Sequence, residues 1–257
     1  MKIERLKLEH YKVSYEPYET EKIGWCEAIY PTGKDAHGEV KFFGRNGDII
    51  SRFNLSMSGY KNAIPVSYDG KKVYSYCTTG VKPYLSCYEI ESGTRVWAND
   101  SKDLREICQI ELLGEALVCE IFELGICLID ANTGEIVRWI LRNSGLSMWR
   151  ITREYVAIWN CYKMKMYCYD IENDELRVLP TDFNAKKHFK DLVTQGNIPN
   201  WNVHLAMNQV KVDNDKLKVR LFISYYDFGA EFFEDVPMSE VIGKGEIFVY
   251  KPKKKQR

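Results

Sequence analysis

Eight cysteines are the first candidates for chemistry, at positions 26, 77, 87, 108, 119, 127, 161 and 168. Thiolates ligate zinc, but structural zinc wants closely spaced ligand pairs, and no two of these cysteines have Cys-x-x-Cys spacing. Six of them fall into hairpin-related pairs, 77/87, 119/127 and 161/168. That recurrence reads most simply as small apolar core residues repeated in one layer. Cross-strand disulfides would need suitable geometry and an oxidising compartment. The histidines, His10, His37, His188 and His204, lie far apart with no HExxH or His-x-x-x-His arrangement, although a triad assembled in space stays open. Asn54-Leu-Ser-Met-Ser-Gly59 lacks the first glycine of a nucleophile elbow, and no Gly-rich loop precedes a helix to cradle phosphate. Glu231 with Glu234 or Asp235 would suit acid–base work, but reads more simply as a solvated face. The residues therefore predict no catalytic group, no metal and no cofactor.

The elements that carry these residues repeat. Cys87-Tyr-Glu-Ile-Glu-Ser-Gly93-Thr-Arg-Val-Trp97, Cys127-Leu-Ile-Asp-Ala-Asn-Thr-Gly134-Glu-Ile-Val-Arg-Trp139 and Cys168-Tyr-Asp-Ile-Glu-Asn-Asp174-Glu-Leu-Arg-Val178 stack on a common turn. Gly93 and Gly134 are 41 residues apart, Gly134 and Asp174 40. A poorer copy, Phe42 to Ile50, precedes them. Each is a β-branched or aromatic run, a polar turn ending in Gly or Asp, and a second run, which predicts a hairpin. A second series runs in phase, at Val73–Cys77, Ala116–Glu120 and Ala157–Cys161. Lys218–Tyr226, Gly245–Tyr250 and Trp25–Tyr30 read as further strands, and the N-terminal run adds one or two more. A period of about 41 residues holding three or four short strands is that of a β-propeller blade, and the length accommodates five or six. Helical signals are few: 184–195, capped from Thr181 or Asp182, and a turn at Ser101–Ile107. The predicted fold class is all-β and β-propeller-like with short helical insertions. It forms one domain over 1–257 that ends in a basic tail, 251–257.

The segment Asp130-Ala-Asn-Thr133-Gly134 with Trp139 resembles the repeat of quinoprotein-like (PQQ-like) propellers, whose blades carry Asp-x-x-Thr-Gly followed by Trp. Glu89, Ser92, Gly93 and Trp97 are similar, whereas Asp170, Asn173 and Asp174 match less and lack the Trp. The resemblance covers roughly residues 40–180. It implies that Trp97 and Trp139 dock between blades as structural residues. It carries over no activity, because none of the family's cofactor or calcium ligands has a counterpart here.

At 257 residues the chain buries a core without disulfide or metal support. Lys plus Arg and Asp plus Glu both number 36, and five of the positive charges sit in the tail Lys-Pro-Lys-Lys-Lys-Gln-Arg257. The remaining body is net negative, which does not suit a nucleic-acid binder. No run of 18 apolar residues predicts a membrane span, and the charged N-terminus does not read as an export signal, so a cytoplasmic location is expected.

Insertions that break a repeat are where function sits on such scaffolds. One runs from Pro180 to Trp201, the other from Tyr225 to Gly245. The second concentrates Tyr226, Phe228, Phe232 and Phe233 beside Glu234 and Asp235, in what reads as a loop. With Trp201 these residues are the candidate partner-binding surface, because aromatics anchor interfaces and acids steer a basic partner. The plainer alternative is that the aromatics fill the last blade. The expected function is a non-catalytic, cytoplasmic protein-binding module of inhibitor, immunity or adaptor type. The alternative is a propeller enzyme or small-ligand sensor with its site at a central channel.

Overall fold

The computed structural model describes residues 2–9, 23–30, 37–56, 63–67, 69–77, 82–163, 165–179, 204–213, 215–225, 228–242 and 246–247. Its contacts divide the chain into two units, Met1–Trp139 and Ile140–Arg257. The first unit opens with β1 (Lys2–Glu9), β2 (Ile23–Tyr30), β3 (His37–Gly44) and β4 (Ile49–Ser56), an antiparallel meander. A short β5 (Ala63–Pro65) lies parallel to β1, and the chain then passes through the Val66–Val73 bridge into the second sheet. That sheet holds β6 (Lys72–Tyr76), β7 (Leu85–Glu89) and β8 (Arg95–Asn99). A single 3₁₀ turn, Lys102–Leu104, follows, with the Ser101 hydroxyl accepting from the Asp103 N–H. The third sheet is β9 (Ile107–Leu113), β10 (Ala116–Ile121), β11 (Gly125–Asp130) and β12 (Ile136–Leu141), the last crossing into the second unit.

The second unit continues with β13 (Leu146–Arg150), β14 (Tyr155–Asn160), β15 (Lys165–Asp170) and β16 (Glu175–Val178). A final sheet of three ten-residue strands follows, β17 (His204–Asp213), β18 (Lys216–Tyr225) and β19 (Phe228–Pro237), then a one-turn helix, Met238–Val241. The chain then returns as β20 (Glu246–Ile247) to pair antiparallel with β16. The fold is all-β and propeller-like: five successive up-and-down sheets among the described residues, within the five or six blades expected. The helix expected over 184–195 and the basic tail 251–257 lie outside the described residues.

The hairpins stand where the repeat placed them, and one hydrogen bond recurs in three sheets. The first residue of the outer turn donates its N–H to the carbonyl of the inner turn. The pairs are Ile90 to Lys71 at 2.7 Å, Ala131 to Glu115 at 3.0 Å and Ile171 to Glu154 at 2.9 Å. The acid that opens each outer turn holds it shut. Asp130 accepts from the Asn132 and Thr133 N–H groups, Asp170 from both the N–H and the amide of Asn173, and Glu89 from the Ser92 hydroxyl. The Asp130 and Asp170 turns are Asx-type, in which a short carboxylate replaces a backbone acceptor, whereas Glu89 accepts from a side-chain hydroxyl.

The sheets pack through alternate residues. Between the first and second lie Ile23, Cys26, Val40, Phe42 and Leu55 against Val73, Tyr88 and Ile90. Between the second and third lie Tyr74, Leu85 and Cys87 against Leu112, Leu117, Cys119, Cys127 and Ile129. In the second unit Ala157, Trp159, Met166 and Cys168 pack on Leu217, Val219, Val236 and Val241. Six of the eight free cysteines are buried, as expected of core residues, but they do not repeat one position. Cys127 stands three residues before its turn acid, whereas Cys87 and Cys168 stand two before theirs. An offset of one turns a strand side chain to the opposite face, so Cys87 and Cys127 enter one layer from facing sheets.

Trp97 is structural, as the family resemblance implied. Its indole Nε1 donates to the Ala131 carbonyl at 3.1 Å, across the gap to the third sheet. The ring lies so close over Gly134 (φ +76°) that a Cβ there would fall under 3.0 Å from it. Asn99 Nδ2 donates to the Gly134 carbonyl at 2.6 Å, and Lys72 Nζ to Asn132 Oδ1 at 3.0 Å. One sheet earlier Phe53 takes the same place over Gly93 (φ +67°), where a Cβ would stand 2.8 Å from the phenyl Cβ. We expect Gly134→Ala to cost at least about 2 kcal/mol, strain and clash together. Gly114→Ala, at φ +55° with open space around it, should cost only the backbone strain, about 1 kcal/mol. Urea unfolding of the two variants measures the difference.

Candidate functional site

The turns at one end of the first and second sheets enclose a cleft of about 770 Å³. Three turns build its walls. Gly44–Asp48 joins β3 to β4, closed by the Gly44 N–H on the Asp48 carbonyl at 2.8 Å, with the Asn46 amide donating to the Asp48 carboxylate. Ser67–Lys71 leads into β6, where Asp69 Oδ1 accepts from the Ser67 hydroxyl at 2.6 Å and the Lys71 N–H at 3.0 Å. The turn after β7 contributes Glu89, Ile90 and Glu91, fixed to the preceding turn through the Ile90–Lys71 backbone bond.

Ile50, 37% exposed, supplies the aliphatic surface of the cleft, above the buried Ile23 and Ile90 at its base. Arg45, Asn46, Asp48, Lys71, Glu89 and Glu91 form its rim. Burial pushes the Asp69 carboxyl up, but the Ser67 hydroxyl, the Lys71 N–H and the Lys71 ammonium at 3.6 Å together hold it below the usual carboxylate range. The Lys71 charge is thereby matched by Asp69, which stands outside the cleft lining. Apolar contact and charged hydrogen-bonding groups thus meet in one concavity, the composition of a recognition site.

The residues expected from sequence lie in the second unit. Trp201 and Tyr226 fall outside the described residues. The loop expected after Tyr226 is instead strand β19, paired through all ten residues with β18. Phe228 stands opposite Tyr225, Phe232 opposite Leu221, Phe233 opposite Arg220 and Glu234 opposite Val219. The segment extends the sheet because β18 offers ten residues of ladder, twice the length of the repeat strands before it, and aromatics suit a pleated surface. Asp235 is exposed and faces Lys216 at 3.9 Å, while its neighbour Val236 is buried against Leu217. The cleft itself escaped sequence reading. Its turns, Arg45-Asn-Gly-Asp48 and Ser67-Tyr-Asp-Gly-Lys71, are legible as turns, but nothing local says that they converge. Elsewhere in the first unit the β10–β11 turn presents Phe122 and Leu124 to solvent, on either side of Glu123 at φ 56°.

Among the described residues no group of three or more His, Cys, Asp or Glu is placed to hold a metal ion, and no helix is long and apolar enough to cross a membrane. Burial pushes the Cys87 thiol up to about 11 and those of Cys26 and Cys168 up to about 12. Cys119, directly opposite Cys127 across β10 and β11, is raised well above the ordinary thiol range by burial and by its neighbour's thiol. Buried, protonated thiols are poor nucleophiles.

No protein-family model matches the chain, and no curated protein matches it. Solved structures resemble it at low identity. BamB from Moraxella catarrhalis aligns at 12% identity and a TM-score of 0.48, over 92% of this chain and 64% of that one. The computationally designed Ika8 protein aligns at 13% and 0.45, over 81% and 58%. Hydrazine synthase of Kuenenia stuttgartiensis aligns at 14% and 0.45, over 75% and 62%. This chain spans less than two thirds of each.

Two measurements test the chemistry of these groups. Native-state alkylation should modify at most Cys108 and Cys161, the two partly exposed thiols, and reach the other six only after unfolding. Asp170 is pushed up by burial, yet donors from the Asn173 side chain and N–H, the Tyr155 hydroxyl and the Glu172 N–H hold it below its ordinary 3.8. A lowered folded pKa stabilises fully above the unfolded value and is lost as pH falls through the folded one. Asp170→Asn should therefore cost about 1–2 kcal/mol at pH 7, with the gap to wild type closing in urea titrations below about pH 4.

Proposed function

We propose that this chain is a protein-binding module of inhibitor, immunity or adaptor type, acting in the cytoplasm without chemistry of its own. The supporting observation is the cleft of the first unit, where Ile50 lies above the buried Ile23 and Ile90 inside a rim of both charge signs. Interfaces combine a dry apolar centre with a polar rim in this way. In the second unit the residues expected from sequence divide: along β19 Phe233 shares a face with the exposed Asp235, and that face is the second one proposed for a basic partner, whereas Phe228, Phe232 and Glu234 share the face of the buried Val236.

The test is affinity purification of the full chain from its native cells, then size exclusion at rising salt and chemical cross-linking. We expect one stoichiometric protein partner whose retention falls as salt screens the charged rim. Recovery of the chain alone, together with thermal stabilisation by a small metabolite, would replace this reading with a ligand sensor. Asp235→Lys, at an exposed position, should weaken the complex severalfold if the β19 surface contributes. An unchanged affinity would remove that surface from the interface.

A further inference from the structure

Three carboxylates reach the cleft of the first unit from two different sheets: Asp48 from the β3–β4 turn, Glu89 and Glu91 from the turn after β7. Asp48 is hydrogen-bonded by the Asn46 amide and Glu89 by the Ser92 hydroxyl, neutral donors that leave the charges in place. Of the two cations on the rim, Lys71 is matched by Asp69. The cleft is therefore net negative over an aliphatic floor. Its walls are held by backbone hydrogen bonds and by Phe53 packed on Gly93, so an incoming group does not have to order them.

We infer that this cleft takes a cationic side chain carried next to an aliphatic one on a protein partner, an Arg or Lys beside a Leu or Ile. The inference rests on the protein-binding reading and gives that partner its chemistry. The aliphatic group packs on Ile50, above the buried Ile23 and Ile90, while the cation meets Glu89, Glu91 and Asp48 on the rim. Arginine fits best, since its planar fork offers two parallel donors to a carboxylate and stays charged at any working pH. The opposite arrangement, an acidic segment, would face the three carboxylates Asp48, Glu89 and Glu91.

The probe is acetyl-Leu-Arg-Leu-amide, titrated into the full chain labelled at isoleucine δ1 methyls and followed by NMR. The expected result is a saturable shift of the Ile23, Ile50 and Ile90 methyls. The citrulline analogue, which keeps the shape and loses the charge, should bind about tenfold more weakly, the weight of a charge-assisted hydrogen bond. A Glu89→Gln/Glu91→Gln variant should lose about the same factor for the arginine peptide and little for the citrulline one. Its unperturbed methyl spectrum outside the cleft would show that it is folded. Absence of a saturable shift at these methyls, or equal affinity for both peptides, overturns the inference. So does a shift of the same methyls on deleting residues 251–257 with no peptide present, which would make the chain's own basic tail the occupant. The two readings fail separately. A partner recovered from cells that binds the double variant unchanged sinks the cleft and leaves the module. Arginine-peptide binding at the cleft, with no protein recovered from cells, does the reverse.

Discussion

An aromatic ring seated on a glycine of the next turn sets the spacing of the first unit. Trp97 covers Gly134 and Phe53 covers Gly93, and in each case no side chain is tolerated beneath the ring. Packing of such a ring contributes about 2 kcal/mol. The indole N–H on the Ala131 carbonyl adds direction, because it can be satisfied only when the two sheets stand at one height relative to each other. Asn99 on Gly134 and Lys72 on Asn132 hold the same turn from the same sheet. Hydrophobic layers alone would tolerate sliding. Directional bonds to a turn with a fixed positive φ do not.

The cleft follows from that constraint. Gly93, the residue under Phe53, ends the turn that begins with Glu89, Ile90 and Glu91. Docking of the phenyl ring therefore places three lining residues of the second sheet against Gly44–Asp48 of the first. Phe53 is itself stacked on Phe42 at 5.6 Å and lies 5.7 Å from Tyr88, so the wall is anchored in the core it borders. Scaffold and candidate site share the same residues, and a change at Phe53 is expected to disturb both.

The hairpins are legible because each carries its own signal: two strand-like runs around a polar turn that ends in a residue tolerating positive φ. Gly93, Gly134 and Asp174 all adopt it, at 67°, 76° and 56°. The inner strands β9 and β13 were not singled out, since their neighbours in the sheet lie beyond a turn with no comparable motif. In the last sheet β18 is legible by alternation, whereas β17 and β19, strands of ten residues, break a rhythm set by strands of five or six. Residues such as Phe232 and Glu234 look like loop chemistry in isolation and become strand when ten partners are available. Cys127 shows the converse, since spacing alone could not reveal that a single inserted residue reverses its face. The cleft depends on turns some 20 to 45 residues apart, and such convergence is a property of the packed sheets.

The sheet edges narrow how a partner could engage this chain. The outer strands β4 and β8 each carry a bulge, at Ile50 and at Val96, where one extra residue interrupts pairing with β3 and β7. Both bulge residues are exposed, and the twist that a bulge imposes spoils the template for an added strand. In the second unit the outer strand β16 is already paired with β20. Strand addition, the common route by which extended peptides bind sheets, is disfavoured at these edges. Recognition by side chains at the turn ends requires no free backbone ladder. The cleft supplies groups for it from both of the sheets that Phe53 holds together, so at β4 and β8 the turn face, rather than the edge, suits recognition by side chains.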